Sequence, residues 1–229
     1  MPPVRSLAEN PSVGRVAGVT GVPTAFNFGF SNSARFPLEP GAVAQLPNAL
    51  VFGSNQPLTG NRTFAAASLT AAGLVSPGNS PGKINIVGDF TLLSSSVLLI
   101  ELEGTLTGID YDIVNVGGNA TLGGSRLDLS LLGSFQSRVQ PTDTFTVLLA
   151  GTAGNGGQLI GAFGNIANGG RLLTTDGLGS FQVNYGANSA FSRSNVVLSN
   201  FAAVPEPSTW VLMGGGALAT AFVLRRRKS

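Results

Sequence analysis

Residues 97–103 read Val-Leu-Leu-Ile-Glu-Leu-Glu. Leu98, Ile100 and Leu102 fall on one side of an extended chain, and Glu101 and Glu103 fall on the other. A period of two with one apolar side is the mark of a strand that buries a single face. The pattern returns at Arg126–Leu132, where Leu127, Leu129 and Leu131 oppose Asp128 and Ser130. It returns again at Thr144–Ala150, where Phe145, Val147 and Leu149 oppose Thr144 and Thr146. Shorter runs at Lys83–Val87, Phe90–Leu93 and Tyr111–Val116 lie between glycines at 88, 104, 117, 118, 123, 124 and 133. The body is therefore expected to be all-β, with Leu98, Ile100, Leu102, Leu127, Leu129, Phe145 and Val147 pointing inward.

Strand starts between Val97 and Thr144 recur roughly every 14–18 residues, a spacing at which strand–turn units can stack into a solenoid, each coil covering its neighbour's apolar face. A β-sandwich of two antiparallel sheets satisfies the same alternation. Both arrangements stay open on the residues alone.

Around this centre the patterning weakens in both directions. Ser76-Pro77-Gly78-Asn79-Ser80-Pro81-Gly82 is a dense turn cluster that opens the patterned region. Downstream, Gly151–Gly179 is a glycine-rich connection with one apolar island, Leu159–Phe163, before closing strands at Phe181–Tyr185 and Ser194–Phe201. Upstream, Ala25–Phe30 alternates over a strand length, but prolines at 37, 40, 47 and 57 forbid long regular elements. The chain thus divides into a poorly patterned segment of loops and isolated strands, 1–72, a β domain, 73–201, and a tail, 204–229.

Composition narrows the chemistry. The 229 residues include 32 glycines and 13 prolines, and only 10% are charged. Short strands joined by glycine turns suit this mixture. Four of the 13 Lys+Arg lie at 225–228, and Glu206 alone of the 11 Asp+Glu follows residue 203. Residues 1–203 therefore carry close to −1, with no basic patch for phosphates, and no nucleic-acid partner is expected. The chain has no cysteine and no histidine, which removes disulfides, thiol nucleophiles, histidine bases and Cys/His metal sites. No cofactor is expected.

The tail has a different composition. Val204-Pro205-Glu206-Pro207-Ser208 is followed by an uncharged run, Thr209–Leu224, and then by Arg225, Arg226, Arg227 and Lys228. About 16 residues at ~1.5 Å rise span roughly 24 Å, short of a hydrocarbon core of about 30 Å. Snorkelling arginines and local thinning close that gap. One C-terminal transmembrane helix is therefore expected over 209–224. Trp210 would anchor it at the outer interface, Leu224 at its inner end, and the basic cluster 225–228 would lie on the cytoplasmic side. The bulk of the chain would then face outward. Met1–Val22 has no uninterrupted apolar run of signal-peptide length, since Arg5, Glu9, Pro11, Gly14 and Arg15 break it, so an export signal is expected upstream.

Read together, Val-Pro-Glu-Pro-Ser, a short apolar helix and a terminal arginine cluster resemble a PEP-CTERM sorting signal, with Pro205, Glu206 and Pro207 in the place of its tripeptide. The resemblance implies an envelope of the Gram-negative type and a partner, an exosortase, that recognises and cuts the tail. It also implies an inner-membrane anchored form that becomes surface-bound or extracellular after processing, and the body would then act by contact, as an adhesin or in association with exopolysaccharide.

The body carries a second resemblance. Leu74-Val75-Ser76-Pro77-Gly78-Asn79-Ser80-Pro81-Gly82, then Ile100-Glu101-Leu102, Tyr111-Asp112 and Leu122-Gly123-Gly124 are similar to the repeat of autotransporter passenger domains. That likeness implies a right-handed parallel β-helix. Relatives often carry a Gly-Gly-Asp-Gly-Asn-type run before the last strand. Gly186–Ser194 stands there in this chain without a carboxylate, and no calcium site is expected.

Two catalytic or surface chemistries remain to be weighed. Glu101 with Glu103, or Asp110 with Asp112, could form the carboxylate pair of a β-helix carbohydrate-active enzyme, because i,i+2 spacing on a strand suits glycoside hydrolysis. A solvated strand face explains the same residues, and the aromatic residues that would stack on sugars are few. An ice- or surface-binding adhesin needs threonines that repeat from coil to coil, which the pairs Thr105/Thr107 and Thr144/Thr146 do not supply. The sequence thus points to an exported, non-enzymatic surface or matrix protein.

Overall fold

The computed structural model describes residues 26–27, 43–45, 49–154 and 156–204. Their regular structure is almost wholly β, as alternation, turn glycines and scarce helix formers dictate. In chain order the strands are β1 (Phe26–Asn27), β2 (Val43–Gln45), β3 (Ala49–Phe52), β4 (Leu58–Gly60), β5 (Arg62–Ala65) and β6 (Ser68–Ala71). Next come β7 (Leu74–Pro77), β8 (Lys83–Ile86), β9 (Asp89–Leu92), β10 (Val97–Leu102), β11 (Ile113–Val116) and β12 (Ala120–Thr121). The last six are β13 (Arg126–Leu131), β14 (Phe145–Ala150), β15 (Leu159–Ile160), β16 (Arg171–Leu173), β17 (Gly179–Asn184) and β18 (Asn195–Ala203). A single 3₁₀ turn, Phe135–Ser137, interrupts them. No helix among the described residues is long and apolar enough to cross a membrane.

From β4 to β15 the chain visits three sheets in rotation. One sheet runs β4-β7-β10-β13. The second contains β5-β8-β11-β14, and the third contains β6-β9-β12-β15. Within each of these runs, strands three apart in sequence pair in parallel. These are not the antiparallel pairs of a sandwich. After β15 the direction changes: β18 pairs antiparallel with β14, β17 with β18, and β16 with β17.

Parallel register stacks like upon like. Leu58, Val75, Leu98 and Leu127 form one buried file, and Phe64, Ile86, Val116 and Ala150 form another. Leu50, Leu69, Phe90 and Ala120 form a third. Each circuit of three strands brings apolar residues from three directions to a common centre, where they merge into one core. At the C-terminal end the file widens into an aromatic cluster. Phe145 meets Tyr111, Phe135 and Phe181 edge-on, with ring centroids 5.2, 6.0 and 5.8 Å away, and Phe201 lies 5.0 Å from Phe181. Edge-to-face packing at these distances is the favoured aromatic geometry.

Corners between strands leave no room for side chains. A Cβ on Gly88 would run into the carbonyls of Ala66 and Ala67, and one on Gly117 into the carbonyl of Val87. Neither glycine is needed for its φ; both are needed for close approach of one circuit to the next.

The expected inward residues Leu98, Ile100, Leu102, Leu127, Leu129, Phe145 and Val147 are all fully buried. Two expectations need correction. Strands β3 to β6 lie upstream of residue 73 and pair in register with β6 to β9, so the poorly patterned segment ends before residue 49 rather than at 72. Their runs of three or four residues are too short to display alternation. The inward face of β14 also departs from a strict alternation. A register shift against β18 between Thr146 and Leu148 turns Leu148 inward and leaves Leu149 half-buried. A bulge of this kind reverses the phase of every residue after it.

Leu98→Ala and Leu127→Ala should each cost about 2–5 kcal/mol of unfolding free energy, because neither cavity can collapse onto solvent. Gly117→Ala should cost about 1–3 kcal/mol through overpacking alone. Urea midpoints of the variants test both; an unchanged midpoint for Gly117→Ala would contradict the corner contact.

Candidate functional site

The carboxylates singled out in the sequence lie where the chain leaves β10, loops out over residues 103–112, and enters β11. Asp112, Asp110 and Glu101 each hold different hydrogen-bond partners. Asp112 is completely buried. Its Oδ1 accepts the Gly82 N–H at 2.6 Å and its Oδ2 accepts the Glu101 N–H at 2.9 Å. It therefore bridges the turn of one circuit to the strand of the next. Asp110 closes its own loop by accepting the Leu106 N–H at 3.2 Å. Glu101, half-buried on the outward face of β10, accepts the Ser80 hydroxyl at 2.6 Å. Glu103 is exposed at the end of the same strand.

This arrangement serves the backbone better than a substrate. The two amides that Asp112 accepts would otherwise lose their partners in a dry corner, at about 1–3 kcal/mol each. Burial pushes the Asp112 carboxyl up to about 7, against the two backbone hydrogen bonds and with a smaller contribution from the neighbouring Glu101 charge. A raised pKa in a cleft can mark a general acid. Here the carboxyl has no accessible surface, and desolvation is the first cause of its shift.

Among the described residues no three of His, Cys, Asp and Glu gather as metal ligands would. The pairs Thr105/Thr107 and Thr144/Thr146 do not stack on one another, but Thr70, Thr91 and Thr121 do, in register across β6, β9 and β12. This half-exposed file is bounded by Val51 and Ile160. It escapes a reading that compares threonines within a strand, because its spacing in sequence is uneven.

The end of the body is the most functionally telling place. β18 continues to Ala203, which pairs with Gly179, and the Val204 N–H donates to the Leu178 carbonyl at 2.7 Å. The sheet therefore runs up to the residue before Pro205. Pro205, Glu206, Pro207, Trp210, Leu224, Arg225, Arg226, Arg227 and Lys228 lie outside the described residues, as does the expected helix 209–224.

The folded carboxyl of Asp112 sits near 7 and its ordinary value is 3.8, so between these pH values the folded state holds a proton that the unfolded state has released. Stability should accordingly fall as pH rises from about 4 to about 7, with little contribution from this group outside that window. Asp112→Asn should flatten that slope whatever its effect on the absolute midpoint. Urea unfolding at several pH values checks this, and an unchanged slope in the variant would exclude Asp112 as its source.

No curated protein and no solved structure matches the chain. A family model for the PEP-CTERM protein-sorting motif matches residues 203–228, about a tenth of the length. The chain thus carries a PEP-CTERM protein-sorting motif that begins on Ala203, the final residue of β18.

Proposed function

We propose that the protein is an exported cell-surface or matrix component, sorted and cut at the envelope by an exosortase, whose body is a right-handed parallel β-solenoid that acts by contact rather than catalysis. The observation that carries this reading is the junction of sheet and sorting motif at Ala203 and Val204. Only residues 205–208 separate the last sheet hydrogen bond from the apolar run. Fully extended, those four span roughly 13 Å. A helix over 209–224 would therefore hold the end of β18 against the bilayer, with Pro205-Glu206-Pro207 confined between them. Two prolines keep that segment extended and out of any helix, as a processing enzyme embedded in the membrane requires.

The rotation of the chain through three parallel sheets supports the solenoid. The separate duties of Glu101, Asp110 and Asp112 support the non-enzymatic body. Trp210 and the cluster Arg225–Lys228 pin the two ends of the tail helix; dragging each cation through hydrocarbon costs several kcal/mol, so the tail stops in the membrane while the body is outside. Exopolysaccharide is the partner expected of the released body.

Two experiments test the reading. In a host encoding an exosortase, neutral replacements of Arg225–Lys228 should release the protein unprocessed, and Glu206→Gln should leave it anchored but uncut. If both variants are processed and localised like the parent, the tail is not the sorting device. Incubation of the full-length protein with neutral and acidic polysaccharides should release no oligosaccharide; a product that Glu101→Gln abolishes would make the body an enzyme.

A further inference from the structure

The outer face of the β17–β18 hairpin, which points away from the core, is flanked by residues 141–144, ahead of β14, and by the loop 186–194, which leave an open cleft of about 430 Å³, an ordinary size for a small-ligand site. Its hydrogen-bonding groups come from Thr142, Thr144, Gln182, Asn184, Ser199 and Asn200. No charged side chain lines it. Phe191, 46% exposed at the crest of the loop 186–194, contributes an aromatic ring, and Pro141 faces the same space.

Three features of this cleft are not explained by the needs of the fold. Its floor is polar where it is nearly dry: Asn184 is 3% exposed and Ser199 is 5% exposed. Asn184 Nδ2 donates to Ser199 Oγ at 2.9 Å, while its Oδ1 accepts from no group among the described residues. That oxygen keeps contact with solvent in the cleft and stands open to a donor from a bound molecule. Asn200 holds a left-handed backbone, with φ 49°, at a bulge where Asn200 and Phe201 oppose Phe181 alone. Arg171 secures the bulge, donating to the Ser180 carbonyl at 3.1 Å and to the Asn200 carbonyl at 2.9 Å. Bulges of this kind re-aim side chains. Here the Asn200 amide is braced against Gln182 Oε1 at 2.8 Å, and Gln182 against the Gly169 carbonyl at 3.1 Å.

We infer that this cleft is a binding site for an uncharged glycan chain. Sugar hydroxyls both donate and accept, and so do the amides and hydroxyls that line the cleft, whereas a carboxylate or ammonium serves only one role. With no cation in the lining, phosphate, sulfate and uronate groups find no counter-charge, and with no carboxylate a cation finds none. The exposed ring of Phe191 offers an apolar plane to the C–H face of a pyranose, whose hydroxyls would turn to the amide floor. The inference rests on the contact reading above and gives that contact a place and a ligand class. The loop 186–194 then has a role: without a carboxylate it builds the wall of a neutral site. Asn188 helps fix that wall through its carbonyl, which accepts from Asn168 Nδ2 at 2.9 Å.

The test uses the full-length chain in a detergent without a sugar headgroup, titrated calorimetrically with neutral hexasaccharides of glucose, mannose and galactose and with hexagalacturonate. At least one neutral hexasaccharide should bind with a Kd below about 1 mM, and hexagalacturonate at least about tenfold more weakly. Phe191→Ala, which removes an exposed ring, and Asn200→Gly, which suits the left-handed backbone, should each weaken that binding about tenfold or more without shifting the thermal midpoint. The site is overturned if none of the neutral chains binds, if hexagalacturonate binds as tightly, or if neither variant changes the affinity. If Asn200→Gly unfolds the protein, Phe191→Ala decides alone. Cleaved hexasaccharide recovered from the titration would instead overturn the non-catalytic reading and leave the cleft standing, so the two can fail separately.

Discussion

A buried side chain in this body is covered by the residue at the matching register position one circuit away. Val75 lies on Leu58, Leu98 on Val75 and Leu127 on Leu98, and the backbone hydrogen bonds that set this register also draw the circuits together. No circuit can bury its own face, since each supplies only a few inward residues per sheet. Stability therefore grows along the stack, and each end needs a different solution. At the C-terminal end the solution is a change of direction: β18 pairs antiparallel with β14, and Phe181 and Phe201 join the aromatic cluster around Phe145.

Register confines irregularity to the corners. Extra residues are looped out between strands, as over 103–112, 132–144 and 186–194, while the files of Leu, Ile and Val stay in phase. The corners themselves are tight. Glycine at 88 and 117 lets one circuit's backbone rest on the next, and the Asp112 carboxylate takes amides from two successive circuits. The loops are thus free to vary in what they present, and the cleft beneath Phe191 is built from two of them.

Much of the body was legible where strands are long enough to show their period. The six-residue strands β10, β13 and β14 are long enough to repeat their alternation, and their expected core residues are buried. Strands of three or four residues, such as β4 and β5, show one or two inward positions, and Pro57 ahead of β4 argues for a loop. Pairing direction was out of reach because parallel and antiparallel neighbours demand the same alternation. Asp112 reads in sequence as a catalytic or solvated carboxylate because nothing local distinguishes an aspartate facing water from one facing two amides across a corner. The polar floor at Gln182, Asn184 and Ser199 was hidden for a related reason. Alternating polar residues on a strand read as a solvated face, and only the loops that flank them make a cleft. The sorting motif, by contrast, depends on local order alone, and the family match at 203–228 coincides with its reading.

The position of β18 has a mechanical consequence. This strand is hydrogen-bonded along both edges, to β14 and to β17, and its last residues lead directly to the tail. Drag on a body tethered by its C-terminus would enter the fold along the axis of this strand. The ladder to β17, which reaches Ala203, would then be loaded first and the ladder to β14 at Asn195–Leu198 behind it, both in shear instead of being peeled one bond at a time. The aromatic contact of Phe201 with Phe181 and the bulge at Asn200 lie close to the point where the force arrives, and would resist the first slip of the strand. Pulled from its C-terminus, a body built this way would resist unravelling from that end.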